Sequence, residues 1–144
     1  MLDFISFHTK HFSKRSEHSV ISAIVIHDTG SKTALSTLNW FDTEESQVSA
    51  HYVIDTDGTI YECVELDMKA WHAGESSLHG MPNVNDYSVG IELVDNDDRN
   101  PYPDKQLSSL LALCVSLCAT YQIPINRVVG HKDISIPHGR KQDP

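Results

Sequence analysis

Two short apolar runs that each lead into a histidine constrain this chain more than any other feature. Ile24-Val25-Ile26 precedes His27, and Val128-Val129-Gly130 precedes His131. Continuous β-branched runs of this kind suit strands buried inside an α/β sheet, and in open sheets of that class ligands bind beyond the carboxyl ends of the strands. Both histidines are therefore expected at the carboxyl ends of buried strands. A third run, Val89-Gly90-Ile91-Glu92-Leu93-Val94, sets one carboxylate among apolar neighbours. With nine histidines in the chain, residue type alone leaves two readings open for His27 and His131, a packed imidazole or a metal ligand.

The last six residues, Gly139-Arg140-Lys141-Gln142-Asp143-Pro144, favour the second reading. A catalytic zinc commonly takes three protein ligands from imidazole, thiolate and carboxylate, and keeps a fourth position open. His27, His131 and Asp143 supply two imidazoles and one carboxylate. A zinc ion on that set keeps a net positive charge and lowers the pKa of the water it carries to about 7. Glu92 has two readings of its own, a solvent-facing strand residue or a desolvated carboxyl whose pKa is raised toward the working pH.

The remaining pattern gives a coarse α/β order. Val20 to His27 and Ser88 to Val94 read as strands, and Ala34 to Phe41 as a short helix with Leu35, Leu38 and Phe41 spaced at three. His51 to Asp55 and Thr59 to Val64 read as a hairpin across Thr56-Asp57-Gly58. Asp104 to Tyr121 is the clearest helix, with Leu107, Leu110, Leu111, Cys114, Leu117, Cys118 and Tyr121 repeating at three and four and Asp104 suited to the cap. After Pro124, Ile125 to Gly130 reads as the strand into His131. Asp67 to Tyr87 lacks periodicity, and a loop of such length in a compact domain is commonly functional.

Five ordered motifs carry a family resemblance. They are Ile24-Val25-Ile26-His27-Asp28; Ser49-Ala50-His51-Tyr52-Val53-Ile54 with Asp57-Gly58-Thr59-Ile60-Tyr61; Ala70-Trp71-His72-Ala73-Gly74; Asn85-Asp86-Tyr87-Ser88-Val89-Gly90-Ile91-Glu92-Leu93; and Val129-Gly130-His131-Lys132-Asp133 with the terminal segment. From Val20 to Pro144 the chain resembles the zinc-dependent N-acetylmuramoyl-L-alanine amidases of type 2, related to the peptidoglycan recognition proteins. The resemblance is nearest to the branch that acts on 1,6-anhydromuropeptides. It implies an α/β fold in one domain over residues 1–144, with a mixed central sheet flanked by helices and residues 1–19 packing on it as an extension. It also implies hydrolysis of the amide between N-acetylmuramic acid and L-alanine, in peptidoglycan or its fragments.

Residue by residue, the resemblance makes His27, His131 and Asp143 the zinc ligands, Glu92 the general base and Lys141 the cation beside the developing oxyanion. Ala50 stands where short phage enzymes of the family carry a tyrosine, which leaves the base to Glu92. His138 is a competing ligand, and the Lys-x-Asp-Pro pattern favours Asp143. Asp143 lies one residue from the end of the sequence, where chains fray unless tied down; the terminus is either fixed by the metal or cut short. Trp71, His72, Asn85 and Arg140 are expected to bind substrate, Trp71 by an apolar face if it does not simply pack, while His51 reads as a structural imidazole. The alternative within the wider family is a non-catalytic peptidoglycan recognition module.

Charge and composition exclude other classes. Twenty acidic against 11 basic residues give a net charge of −9, so the chain has no basic face for nucleic acid and no polybasic membrane patch. The first 20 residues lack a signal-peptide pattern, and no apolar run approaches the ~18 residues of a membrane span. A cytoplasmic protein is expected, with a phage endolysin or a delivered effector as the other settings. Cys63, Cys114 and Cys118 suggest core thiols rather than disulfides. Nothing in the sequence indicates an oligomeric state.

Overall fold

A computed structural model describes residues 1–95 and 100–144. Its elements in chain order are β1 (Phe4–Ser6), β2 (Phe12–Lys14), β3 (Ala23–Asp28), α1 (Ala34–Asp42), β4 (Tyr52–Ile54), β5 (Ile60–Glu62), β6 (Met68–Ala70), β7 (Ser77–Leu78), β8 (Met81–Pro82), β9 (Ser88–Leu93), α2 (Asp104–Tyr121), β10 (Val128–Gly130) and α3 (His131–Ile134). Six strands form a mixed central sheet in the order β1-β5-β4-β9-β3-β10. Among the described residues, only β4 and β5 pair antiparallel within it.

Helices cover this sheet as the sequence predicts. Side chains alternate across a strand, so the two faces carry different residues. Ile24, Ile54, Val89, Ile91 and Leu93 pack against Leu113 and Leu117 of α2 on one face, each fully buried apolar side chain contributing roughly 1.5–3 kcal/mol. On the other, Ala34, Leu38 and Phe41 of α1 pack with Val53, while Ala23 and Val25 meet Ala73, Val84 and Ile134.

The β4–β5 hairpin turns where expected. Gly58 takes φ +91°, and a Cβ there would stand 2.9 Å from the carbonyl oxygen of Lys105. Only glycine fits both demands.

Several boundaries and faces differ from expectation. β3 starts at Ala23 rather than Val20, whose side chain is exposed. Ile125–Arg127 forms a 3-10 turn, so β10 is three residues long, half-buried and at the sheet edge instead of deep inside it. Leu35 is exposed because α1 buries Ala34, Thr37, Leu38 and Phe41.

Leu107 and Leu111 face outward on α2, where Gln106 is buried instead. Its Nε2 donates to Ile54 O at 2.9 Å and Val94 O at 2.8 Å, tying the helix to the ends of two strands. Pro103 occupies the cap and Asp104 the first turn, where its charge complements the helix dipole. Cys63 is buried, but Cys114 and Cys118 are only partly so; all three are free thiols.

The segment read as a loop contains β6, β7, β8 and a 3-10 turn at Val84–Tyr87. The first residues reach it directly, since β1 adds to the sheet beside β5 and β2 pairs with β6. Arg15 then donates to the carbonyls of Leu66, Asn85 and Asp86 at 3.0–3.2 Å. Among the described residues, no helix is long and apolar enough to cross a membrane.

Candidate metal centre and active site

The parallel β3–β9 ladder places His27 opposite Glu92. His131 follows β10 as the first residue of α3. Asp143 reaches both histidines because the terminal residues fold back on α3: Lys132 N donates to Asp143 O at 3.0 Å, and His131 N donates to Pro144 O. These backbone bonds hold the segment against α3.

Three donor atoms converge. His27 Nδ1 and His131 Nδ1 are 3.0 Å apart, and Asp143 Oδ2 lies 3.3 Å and 3.1 Å from them. Donors bound about 2.0–2.1 Å from one tetrahedral centre stand about 3.3 Å from each other. The triangle therefore fits a zinc-sized cation.

Proton placement agrees with that fit. His131 Nε2 donates to Ala73 O at 3.0 Å, which leaves its Nδ1 with a lone pair toward the triangle. Burial lowers the pKa of His27, with the neighbouring Asp143 only partly opposing it, so the imidazole stays neutral. Burial alone would raise the Asp143 carboxyl, but its closeness to His131 and His27 holds it well below the usual carboxylate range. Neutral imidazole and ionised carboxylate are the forms a metal requires.

Glu92 shares a cavity of about 580 Å³ with the triangle, Lys141 and Trp71. Desolvation, with added repulsion from Asp143 and Asp28, pushes its carboxyl up to about 8 against the opposing charge of Lys141. Its Oε2 is shielded from solvent and has no hydrogen-bond partner among the described residues. A carboxyl in that state suits proton transfer near neutral pH.

The expected substrate residues separate into different roles. Trp71 lines the cavity, with its indole Nε1–H tied to Ser13 Oγ at 3.1 Å. Arg140 is exposed beside it and donates to the carbonyls of Ile136, Ala73 and Glu75. Asn85 Oδ1 accepts from the backbone of His72 and Ala73, at 3.2 and 2.8 Å, and so shapes the loop.

His72 also lines the cavity, buried with both ring nitrogens engaged, Nδ1 at 3.0 Å from His27 Nε2 and Nε2 at 3.0 Å from Ser88 Oγ. His51 is structural as read. Its Nδ1 accepts from Gly90 N at 3.0 Å and its Nε2 donates to Met68 O at 3.0 Å. His138 is exposed and lies outside the convergent set.

Sequence reasoning missed part of the cavity lining. Thr37, Trp40 and Val48 also line the cavity, and Trp40 remains 52% exposed there. Its signal was an indole adjacent to, rather than on, the apolar stripe of α1.

Comparison with known proteins agrees with this geometry. The family profile described as Amidase_2, N-acetylmuramoyl-L-alanine amidase, matches residues 17–144. The 1,6-anhydro-N-acetylmuramyl-L-alanine amidase AmpD of Citrobacter freundii is 43% identical over 98 residues, 68% of this chain and 51% of that protein. The N-acetylmuramoyl-L-alanine amidase AmiD of Escherichia coli K12 is 33% identical over 141 residues, 86% of this chain and 49% of that one. This chain thus spans about half the length of these relatives.

Among solved structures, an Se-Met AmpD derivative superposes with a TM-score of 0.84 at 29% identity, over 100% of this chain and 88% of the other. E. coli AmiD in complex with the substrate anhydro-N-acetylmuramic acid-L-Ala-D-gamma-Glu-L-Lys gives 0.77 at 28% identity, over 94% and 61%. By sequence profile, by fold and by the convergence of His27, His131 and Asp143, the chain belongs to the Amidase_2 family of N-acetylmuramoyl-L-alanine amidases.

Proposed function

We propose that this chain is a zinc amidase that cleaves the bond between the lactyl carbonyl of N-acetylmuramic acid and the L-alanine nitrogen in muropeptides. The observation that carries the reading is the triangle of His27, His131 and Asp143 opening into the same cavity as a desolvated Glu92. A zinc ion held by the three would supply Lewis acidity and lower the pKa of water. Glu92 takes the proton of the attacking water and delivers it to the departing amine. Lys141 places its charge on the cavity wall, near the carbonyl oxygen as it becomes negative, and one such donor is worth ~2.7–4 kcal/mol.

Trp40 and Trp71 offer flat apolar surfaces to the sugar or peptide, and Arg140 offers a cation to its carboxylates. Soluble anhydromuropeptide is the substrate favoured by the likeness to AmpD and AmiD. The deciding test is mass spectrometry of products from soluble anhydromuropeptides and from intact sacculi, with and without a zinc chelator. Release of a peptide beginning with L-alanine, lost on chelation, is the expected result. Absence of cleavage of both substrates by protein carrying stoichiometric zinc would return the chain to a recognition role.

A further inference from the structure

We propose that His72 is a positioning residue that fixes the tautomer of His27, through a line of hydrogen bonds running from His27 Nε2–H to His72 Nδ1 and from His72 Nε2–H to Ser88 Oγ. The inference rests on the metal-binding reading of His27 and deepens it.

For His27 Nδ1 to offer a lone pair to a cation, its proton must sit on Nε2, and a buried N–H requires an acceptor. His72 Nδ1 is that acceptor at 3.0 Å, with the two rings edge-on at 83°. A neutral imidazole that accepts at Nδ1 must donate from Nε2, and Ser88 Oγ stands 3.0 Å from that atom. The opposite polarity would put a proton on His27 Nδ1, pointing it into the donor triangle. Ser88 Oγ can accept the His72 Nε2 proton and so completes the competent polarity two hydrogen bonds from His27 Nδ1.

The backbone is built around this ring. Ser88, Gly90 and Glu92 alternate onto one face of β9, and the His72 imidazole lies over Gly90. A Cβ on Gly90 would come within 2.6 Å of His72 Cδ2 and 2.8 Å of its Nδ1. Asn85 Oδ1 holds the backbone N–H groups of His72 and Ala73 together, and Ala73 O is the acceptor for His131 Nε2. One loop turn thus orients the outer nitrogens of both imidazoles.

The choice of an imidazole here has a chemical consequence. Metal-bound histidines often hand their outer N–H to a carboxylate, which adds negative charge behind the ligand. His72 performs the same orientation without charge. Asp143 is then the single anion in the ligand set with no second carboxylate behind His27, and a cation held there would keep more of its power to polarise a carbonyl.

The test combines zinc affinity with a direct view of the proton. Zinc dissociation constants are measured by competition with a chromogenic chelator for the full chain and for His72→Ala and Ser88→Ala, and long-range nitrogen–proton NMR correlations report each histidine tautomer in the zinc-loaded protein. We expect His72 as the Nε2–H form, and affinity weakened about 10–100-fold in His72→Ala and by a smaller factor in Ser88→Ala. The proposal is overturned if zinc-loaded protein carries His72 as the Nδ1–H form, or if a folded His72→Ala chain holds zinc as tightly as the parent. Should His72→Ala not fold, Ser88→Ala decides, and parental affinity there overturns it. Failure of the metal reading looks different, because the parent chain itself would then bind no zinc.

Discussion

His27 and Glu92 face one another as register partners in the parallel β3–β9 ladder, so the candidate ligand and the candidate base are positioned by the same pair of strands. Neither depends on a loop for its place. The arrangement predicts that Glu92 can be changed without disturbing the donor triangle. Glu92→Gln preserves volume and leaves His27, His131 and Asp143 untouched, so zinc content should stay at one per chain. Turnover should fall by about 10²–10⁴, the usual contribution of a positioned acid–base group. Near-parental turnover with zinc retained would remove Glu92 from the mechanism.

Asp143 is expected to couple the segment after α3 to metal binding. Its side chain closes the triangle while its carbonyl accepts from Lys132 N. Asp143→Ala removes the only anion of the set but leaves the backbone bonds possible. We expect loss of stoichiometric zinc after dialysis, read by elemental mass spectrometry, and a thermal midpoint that no longer rises when zinc is added, since a ligand stabilises only the state that binds it. Full zinc retention would point to another ligand, with the exposed His138 the first to examine.

The ends of the strands were the legible part of this sequence, and the reasons are local. A β-branched run followed by His27, and an alternating run holding Glu92, carry their period and their chemistry within a few residues. The helix α2 was legible in extent but not in rotation. Counting leucines selects the stripe through Leu107 and Leu111, whereas the fold turns Gln106 inward to meet the carbonyls of Ile54 and Val94, 52 and 12 residues away.

The segment from Asp67 to Tyr87 was opaque because its strands are two or three residues long and β6 finds its partner in β2, near the start of the chain. The bond between His72 and His27 was hidden for a related reason, since the two residues are 45 positions apart in the sequence.

Trp40 should affect substrate binding without affecting stability. Its side chain lines the cavity but is 52% exposed, and α1 is held by Ala34, Thr37, Leu38 and Phe41 beneath it. Trp40→Ala is expected to change the unfolding free energy by no more than about 0.5 kcal/mol, the range for surface substitutions. KM for a muropeptide should rise severalfold while kcat changes little, which is the pattern of lost uniform binding. A large fall in kcat at unchanged KM would instead place the indole against the reacting atoms.

His51 gives the fold an acid sensitivity whose sign follows from its environment. Burial is the main cause of its lowered pKa, about 3 in the folded chain, with the charge of Arg15 adding to the effect and the hydrogen bond to Met68 O opposing it. The ordinary value is about 6.5. Between these limits the unfolded chain binds the proton and the folded chain does not, so stability rises with pH across the window. The contribution is complete above about pH 6.5 and is lost progressively as pH falls toward 3. Each unit of difference corresponds to about 1.4 kcal/mol, enough for this one imidazole to matter in a small domain. In an NMR titration, the His51 ring resonances should stay at their neutral-imidazole positions down to about pH 5. A midpoint near 6.5 would show that His51 takes up a proton in the folded chain, and that the bonds to Gly90 and Met68 do not enforce its neutral form.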